Sequence, residues 1–229
     1  MAVKPQAPEA GVGAVDRALS VLFAWRPGED ALSLAELSRR TGLYKSTLLR
    51  LIASLERARM LLRTSDGACW RLGPALVSLG LMAEAAPFGA LRAVVPPALR
   101  RLVAETGESA SLYVREGETR LCLLREEGRH AVRDQLAAGT LLPLDRGAAA
   151  RVLRGAAGLS VTLGERDPEL AAIAAPLHGP GGALLGALCL SGTVTRLADA
   201  RRRAPMESAV LREAAVLSAA LGATLNPGA

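Results

Sequence analysis

Lys45, Ser46, Thr47 and Arg50 crowd the start of one amphipathic segment, and their chemistry suits a polyanion. Hydroxyls and free amide N–H groups in the first turn of a helix suit a phosphate oxygen. A lysine ammonium meets phosphate as a point charge, while an arginine fork can grip O6 and N7 of guanine in a bidentate way. Tyr44, just ahead, could touch a thymine methyl or a phosphate. Arg63 and Arg71, farther on, could reach neighbouring phosphates or a minor groove. The ordinary alternative for each is a solvated surface side chain. Charge placement favours the receptor. Between Arg39 and Arg71 lie eight basic residues (Arg39, Arg40, Lys45, Arg50, Arg57, Arg59, Arg63 and Arg71) and two acids, Glu56 and Asp66. The whole net charge of +6 therefore sits in this segment, as expected for a nucleic-acid footprint.

Such readers need a rigid support, and the flanking sequence supplies one. Val15–Trp25 has helical apolar spacing and is punctuated by Pro27 and Gly28. Ser33 with Glu36 three residues on fits a capping box, which opens a short helix to about Thr41. Gly42 suits a turn needing positive φ. The segment Lys45–Arg57 carries an inner stripe of Leu48, Leu51, Ile52 and Leu55, with Lys45, Thr47, Arg50, Ser54 and Arg57 on the other face. Strands are expected at Met60–Thr64 and Cys69–Leu72, joined through Asp66-Gly67 in a type I′ turn. Helix, helix, turn, helix and hairpin, in that order, make a winged helix-turn-helix over residues 14–74.

Residues 1–13 read as a loose tail with no apolar stretch of signal-peptide length, and no apolar run approaches membrane-span length. Pro74–Ala86 and Leu91–Thr106 read as helices forming a linker over 75–106, with Pro96 and Pro97 expected to break or kink the second. Over 107–229 the pattern changes to an α+β domain with a mainly antiparallel sheet. Strands are expected at Ala110–Arg115, Arg120–Arg125, Ala131–Leu136, Ala171–His178 and Ala183–Ser191, with helices at Ala148–Leu153 and Pro205–Leu225.

Catalysis finds little support. His130 and His178 lack Cys, Asp or Glu at metal-ligand spacing, and there is no GxSxG elbow, P-loop or GxGxxG. Gly179-Pro-Gly-Gly182 reads as a turn between strands, and Glu126-Glu127 splay apart. Cys69, Cys122 and Cys189 form neither a disulfide framework nor a metal knuckle, which points to a reduced, cytoplasmic protein without cofactors.

Ala35-Glu-Leu-Ser-Arg-Arg-Thr-Gly-Leu-Tyr-Lys-Ser-Thr-Leu-Leu-Arg-Leu-Ile-Ala-Ser-Leu-Glu56 resembles the DNA-binding core of the IclR-type transcriptional regulators. So do Trp70-Arg-Leu-Gly-Pro74, Glu105-Thr-Gly-Glu-Ser109, Ala174-Ala-Pro-Leu177 and Leu188-Cys-Leu-Ser-Gly192. The resemblance spans most of residues 14–225. It implies a homodimer, often paired into a homotetramer, on a palindromic operator in double-stranded DNA. It also implies a GAF-like C-terminal domain for an organic-acid or aromatic effector, with a cleft at positions matching Ala148, Ala149, Ala172, Cys189 and Ser191. Four departures stand out. Asp145 replaces the family's usual His and Ala150-Arg151 its Gly-Lys, and Thr162 replaces a carboxylate. Only about seven residues separate Leu153 from Val161, where the family inserts several tens, including a helix that walls the cleft. Cys189 and Ser191 could then serve as hydrogen-bond donors, with Arg146 or Arg151 pairing an anion. The alternative is a C-terminal domain that binds no metabolite and serves oligomerisation and protein partners.

Overall fold

A computed structural model describes residues 11–26, 28–85 and 88–222, and it divides between Pro87 and Phe88 into two compact units. Residues 1–10 of the expected tail, Pro27, and the expected helix end at Leu225 lie outside the described residues. The segment expected as a linker contributes its first helix to one unit and its second to the other.

The first unit contains α1 (Gly13–Leu22), β1 (Leu32–Ser33), α2 (Leu34–Thr41), α3 (Lys45–Arg57), β2 (Leu61–Arg63), β3 (Cys69–Leu72) and α4 (Pro74–Ala85). The strands form an antiparallel sheet in the order β1-β3-β2. Val21, Leu37, Leu48, Ile52, Leu55, Leu61 and Trp70 share one core, so the inner stripe of α3 is buried as its spacing requires. Two local expectations need correction. The capping box is half formed: the Glu36 N–H donates to Ser33 Oγ (3.3 Å), but the Glu36 carboxylate is taken by Arg39 and Arg40. The hairpin is not a two-residue type I′ turn. Only Gly67 has positive φ (70°), because Asp66 Oδ1 accepts from Thr64 Oγ1 and the Ala68 N–H and folds a wider loop. Gly73 is required for a different reason: a Cβ there would lie 2.1 Å from the Arg59 carbonyl oxygen.

The second unit contains α5 (Gly89–Thr106), β4 (Ser109–Glu116), β5 (Thr119–Glu126), β6 (Leu141–Pro143), α6 (Ala148–Leu153), β7 (Ser160–Leu163), β8 (Leu170–His178), β9 (Leu184–Thr193), α7 (Val194–Leu197) and α8 (Ala200–Ala220). Its six strands make one antiparallel sheet ordered β6-β5-β4-β9-β8-β7. Alternation along the strands assigns side chains to two faces. Leu112, Leu123, Ile173, Leu188 and Leu190 pack with α5 and α8, whereas Tyr113, Cys122, Ala174 and Cys189 pack with α6.

The prolines do not break α5, which stays helical from Gly89 to Thr106. Each proline in a helix interior costs about 3 kcal/mol. Burial of Val95, Ala98, Leu99, Leu102 and Val103 holds the helix on the sheet, at roughly 1.5–3 kcal/mol for each large side chain. Ala131–Leu136 is irregular, not a strand. Asp134 is held there by side chains, its carboxylate by Arg166 and its carbonyl by Arg125, so no ladder forms. The structure adds β6 and β7 at the sheet edges, and α8 begins at Asp199, whose carboxylate accepts from the N–H groups of Arg201 and Arg202.

Candidate functional site

The helix-turn-helix is locked by short polar contacts at its turn. Gly42 adopts φ 71° and donates its N–H to the Ser38 carbonyl at 2.9 Å. Ser38 Oγ donates to the Leu43 carbonyl at 2.7 Å, and Thr41 Oγ1 donates to the Leu37 carbonyl at 2.7 Å. These fix where α3 starts. Tyr44 is its N-cap residue and supplies no side-chain cap, so the amides of the first turn keep no side-chain acceptor. Tyr44 itself is 85% exposed, Lys45, Ser46 and Arg50 are exposed and Thr47 is half-buried. The far end of α3 is tied to the wing, where the Trp70 indole N–H donates to Glu56 Oε1 at 3.1 Å. The Arg63 guanidinium lies 5.1 Å from the Trp70 ring centroid, and Arg71 is exposed on β3.

The basic segment is not uniformly available. Arg39 pairs with Glu36 at 2.6 Å, and Arg40 bridges Glu29 and Glu36. The two carboxyls are held down to a pKa of about 2, chiefly by these hydrogen bonds from arginine. Arg39 and Arg40 therefore brace α2. Among the described residues, Lys45, Arg50, Arg63 and Arg71 make no ion pair, so the uncompensated charge collects on the outer face of α3 and on the wing strands.

In the second unit, all five residues expected around an effector (Ala148, Ala149, Ala172, Cys189 and Ser191) line one cleft between α6 and the sheet. The cleft opens to solvent, and its cavity of about 40 Å³ has room for a few water molecules. The Ala148 N–H already donates to Thr162 Oγ1 at 3.2 Å and the Gly147 N–H to Glu165 Oε2 at 3.0 Å. The arginines named from sequence do not reach the cleft. Arg146 pairs with Asp145 at 2.9 Å and Arg151 pairs with Glu165, both toward solvent. Arg120 and Arg166 line it instead, with Tyr113 and Asp134. Arg166 holds Asp134, which is 5% exposed; burial lowers the Arg166 pKa, but this pairing outweighs it and raises the value. Burial pushes the Cys189 thiol up to about 12, so this sulfur stays protonated and hydrogen-bonds the Leu190 carbonyl.

Residues 14–65 match the IclR helix-turn-helix domain. The HTH-type transcriptional regulator KipR of Bacillus subtilis is 33% identical over 135 residues, covering 58% of this chain and 51% of KipR. The chain thus spans about half the length of that relative. The HTH-type transcriptional regulator BhcR of Paracoccus denitrificans is 28% identical over 250 residues, covering 91% of this chain and 87% of BhcR. The helix-turn-helix of this chain is of the IclR type. The fold agrees: an IclR homolog from Microbacterium hydrocarbonoxydans, crystallised with 4-hydroxybenzoate, superposes with a TM-score of 0.70 at 21% identity, covering 91% of this chain and 99% of that chain.

The chain thus carries an IclR-type winged helix-turn-helix and a C-terminal antiparallel-sheet domain. Among the described residues, no helix is long and apolar enough to cross a membrane, and no group of three or more His, Cys, Asp or Glu could hold a metal. Sequence reasoning did not find Tyr113, Arg120, Asp134 or Arg166. The available signal was weak: Arg120 and Cys122 alternate on one face of a strand, which aims a charge at the interior.

Proposed function

We propose that the protein is a sequence-specific transcriptional regulator, acting as a repressor, whose residues 14–74 bind double-stranded DNA. The carrying observation is the outer face of α3, where uncapped first-turn amides, Ser46 and Thr47 stand beside the unpaired cations Lys45 and Arg50. Lys45 and Ser46 hold phosphate, Arg50 reads a base edge, and Tyr44, Arg63 and Arg71 extend the contact. Residues 75–106 connect this reader to a sensing and oligomerising domain over 107–229, and the protein works in the cytoplasm as a homodimer or a homotetramer on a palindromic operator. Exposed Val15 and Leu19 on α1, Val12 and Phe23 at its two ends, and Val77 and Leu81 on α4 support self-association, because they leave apolar stripes in water. The cleft takes an organic-acid or aromatic effector that tunes operator binding; a homolog of the same fold was crystallised with 4-hydroxybenzoate. A C-terminal domain that binds only protein partners is the second reading, favoured by the cleft's small volume and its occupied amides.

The test is a mobility-shift titration with DNA upstream of the protein's own and neighbouring genes, at two salt concentrations. A tight, sequence-selective shift supports the regulator. Weak association with every DNA, lost steeply as salt rises, leaves only counterion release and overturns the sequence-specific reading. Loss or gain of the shift with a metabolite separates the effector reading from the partner-only one.

A further inference from the structure

Arg120 is the one feature of the cleft that its own protein surroundings do not complete. The residue is 4% exposed, and its Nε has no hydrogen-bond partner. Its Nη1 donates to two backbone carbonyls, of Pro143 and of Arg146 (3.0 Å), and its guanidinium lies 5.6 Å from the Tyr113 ring centroid. Among the described residues no carboxylate pairs with it. Asp134, the acid in the lining, is already held by Arg166. Desolvation lowers the Arg120 pKa, but not enough to discharge a guanidinium at neutral pH. Buried charges are otherwise paired, so the missing partner has to come from outside the chain.

We propose that Arg120 is the specificity-determining residue of the cleft and pairs with the carboxylate of a compact monoanionic ligand. This rests on the reading of the cleft as an effector site. The charge follows from the lining: Arg120 and Arg166 against Asp134 leave one positive charge, which one negative charge neutralises. The size follows from the 40 Å³ open to water centres, enough for a carboxylate and a short substituent. The substituent faces Ala148, Ala149 and Ala172, an apolar wall of small side chains. The carboxylate is read by a strand guanidinium, because the amides of Gly147 and Ala148 at the start of α6 are already used by Glu165 and Thr162.

The experiment is isothermal titration of the full chain with acetate, propionate and pyruvate at constant ionic strength. Acetamide and propionamide serve as neutral isosteres, with succinate, benzoate and chloride alongside. The expected result is saturable binding of at least one monocarboxylate, no binding of its amide, and weakening by roughly ten-fold or more in Arg120→Met and less in Arg120→Lys. Arg146→Ala should bind as the parent does. If Arg120→Met fails to fold, the acid–amide pairs on the parent chain still decide. Binding of the amide as tightly as the acid, preference for succinate, benzoate or chloride, or no binding by any monocarboxylate overturns the proposal. Binding of a neutral or aromatic probe in the cleft would leave the effector reading standing while removing Arg120 from it. Absence of binding by every probe would count against both.

Discussion

On α3, Arg50 stands in water without an acid beside it, and in the cleft Arg120 stands buried and without an acid. The first arrangement costs little, since an exposed guanidinium is hydrated, and it leaves the charge ready for a partner whose phosphates displace counterions. The second is held against a desolvation penalty, by Tyr113 and two carbonyls that surround the guanidinium without neutralising it. Same side chain, different medium: exposure suits a large polyanion, burial a small ligand of fixed charge. Between these extremes, Arg40 and Arg196 are used up inside the fold, Arg40 on Glu29 and Glu36 and Arg196 on the buried Glu108.

The largest effect should come from breaking the paired arginine of the cleft and not the unpaired one. Arg166→Met leaves Asp134 buried without its cation, which should cost about 3–5 kcal/mol in the ligand-free protein. Arg120→Met removes a charge that had no acid and should cost less than about 1 kcal/mol, or stabilise, despite two carbonyls losing a donor. Urea denaturation followed by circular dichroism measures both. Equal losses would mean that Arg120 is neutralised in the free protein and that the contrast with Arg166 is not real.

On the DNA face the contrast is between reading and holding. Arg50→Ala should weaken operator binding by roughly 1–3 kcal/mol and relax specificity at one base pair, with stability unchanged within about 0.5 kcal/mol. Lys45→Ala should weaken every DNA alike and lower the slope of log affinity against log salt by about one. Mobility shifts on operator and scrambled DNA separate the two. A uniform loss for Arg50→Ala would make it a second phosphate contact.

What sequence could reveal follows the range of the interaction. The stripe on α3, the Gly42 turn and the short α6 depend on neighbours within a few residues, and each could be read from spacing. The Ala131–Leu136 segment failed because Asp134 is fixed by Arg166, distant in sequence, and not by a ladder partner. The same cause hid the cleft's charges. Arg120 looks like any strand arginine until β6 and the Arg146 carbonyl close over it, and Arg146 and Arg151 look eligible until Asp145 and Glu165 claim them. The five cleft positions suggested by family resemblance converge in space, but that resemblance carried no information on residues particular to this chain. Charge counting likewise could not tell that Arg39 and Arg40 belong to α2 and not to the DNA face, since their partners Glu29 and Glu36 lie outside the basic segment.

The smallest and most local effect is expected at the carboxylates that brace α2. Glu29 and Glu36 have folded pKa values of about 2, against an ordinary value of 4.5, because Arg39 and Arg40 hydrogen-bond their charged forms. A depressed folded value means that the unfolded chain binds protons first as pH falls. The stabilisation is therefore fully present above about pH 4.5 and drains away as pH falls toward 2. Both carboxylates are half-exposed, so the loss should be modest and should shrink further in high salt. Thermal melts of the parent chain and Glu36→Gln between pH 6 and about 2.5 should converge at the acid end, because the variant has already lost the titrating group. A constant gap across that range would place the Glu36 contribution in packing, leaving Glu29 as the acid that holds Arg40.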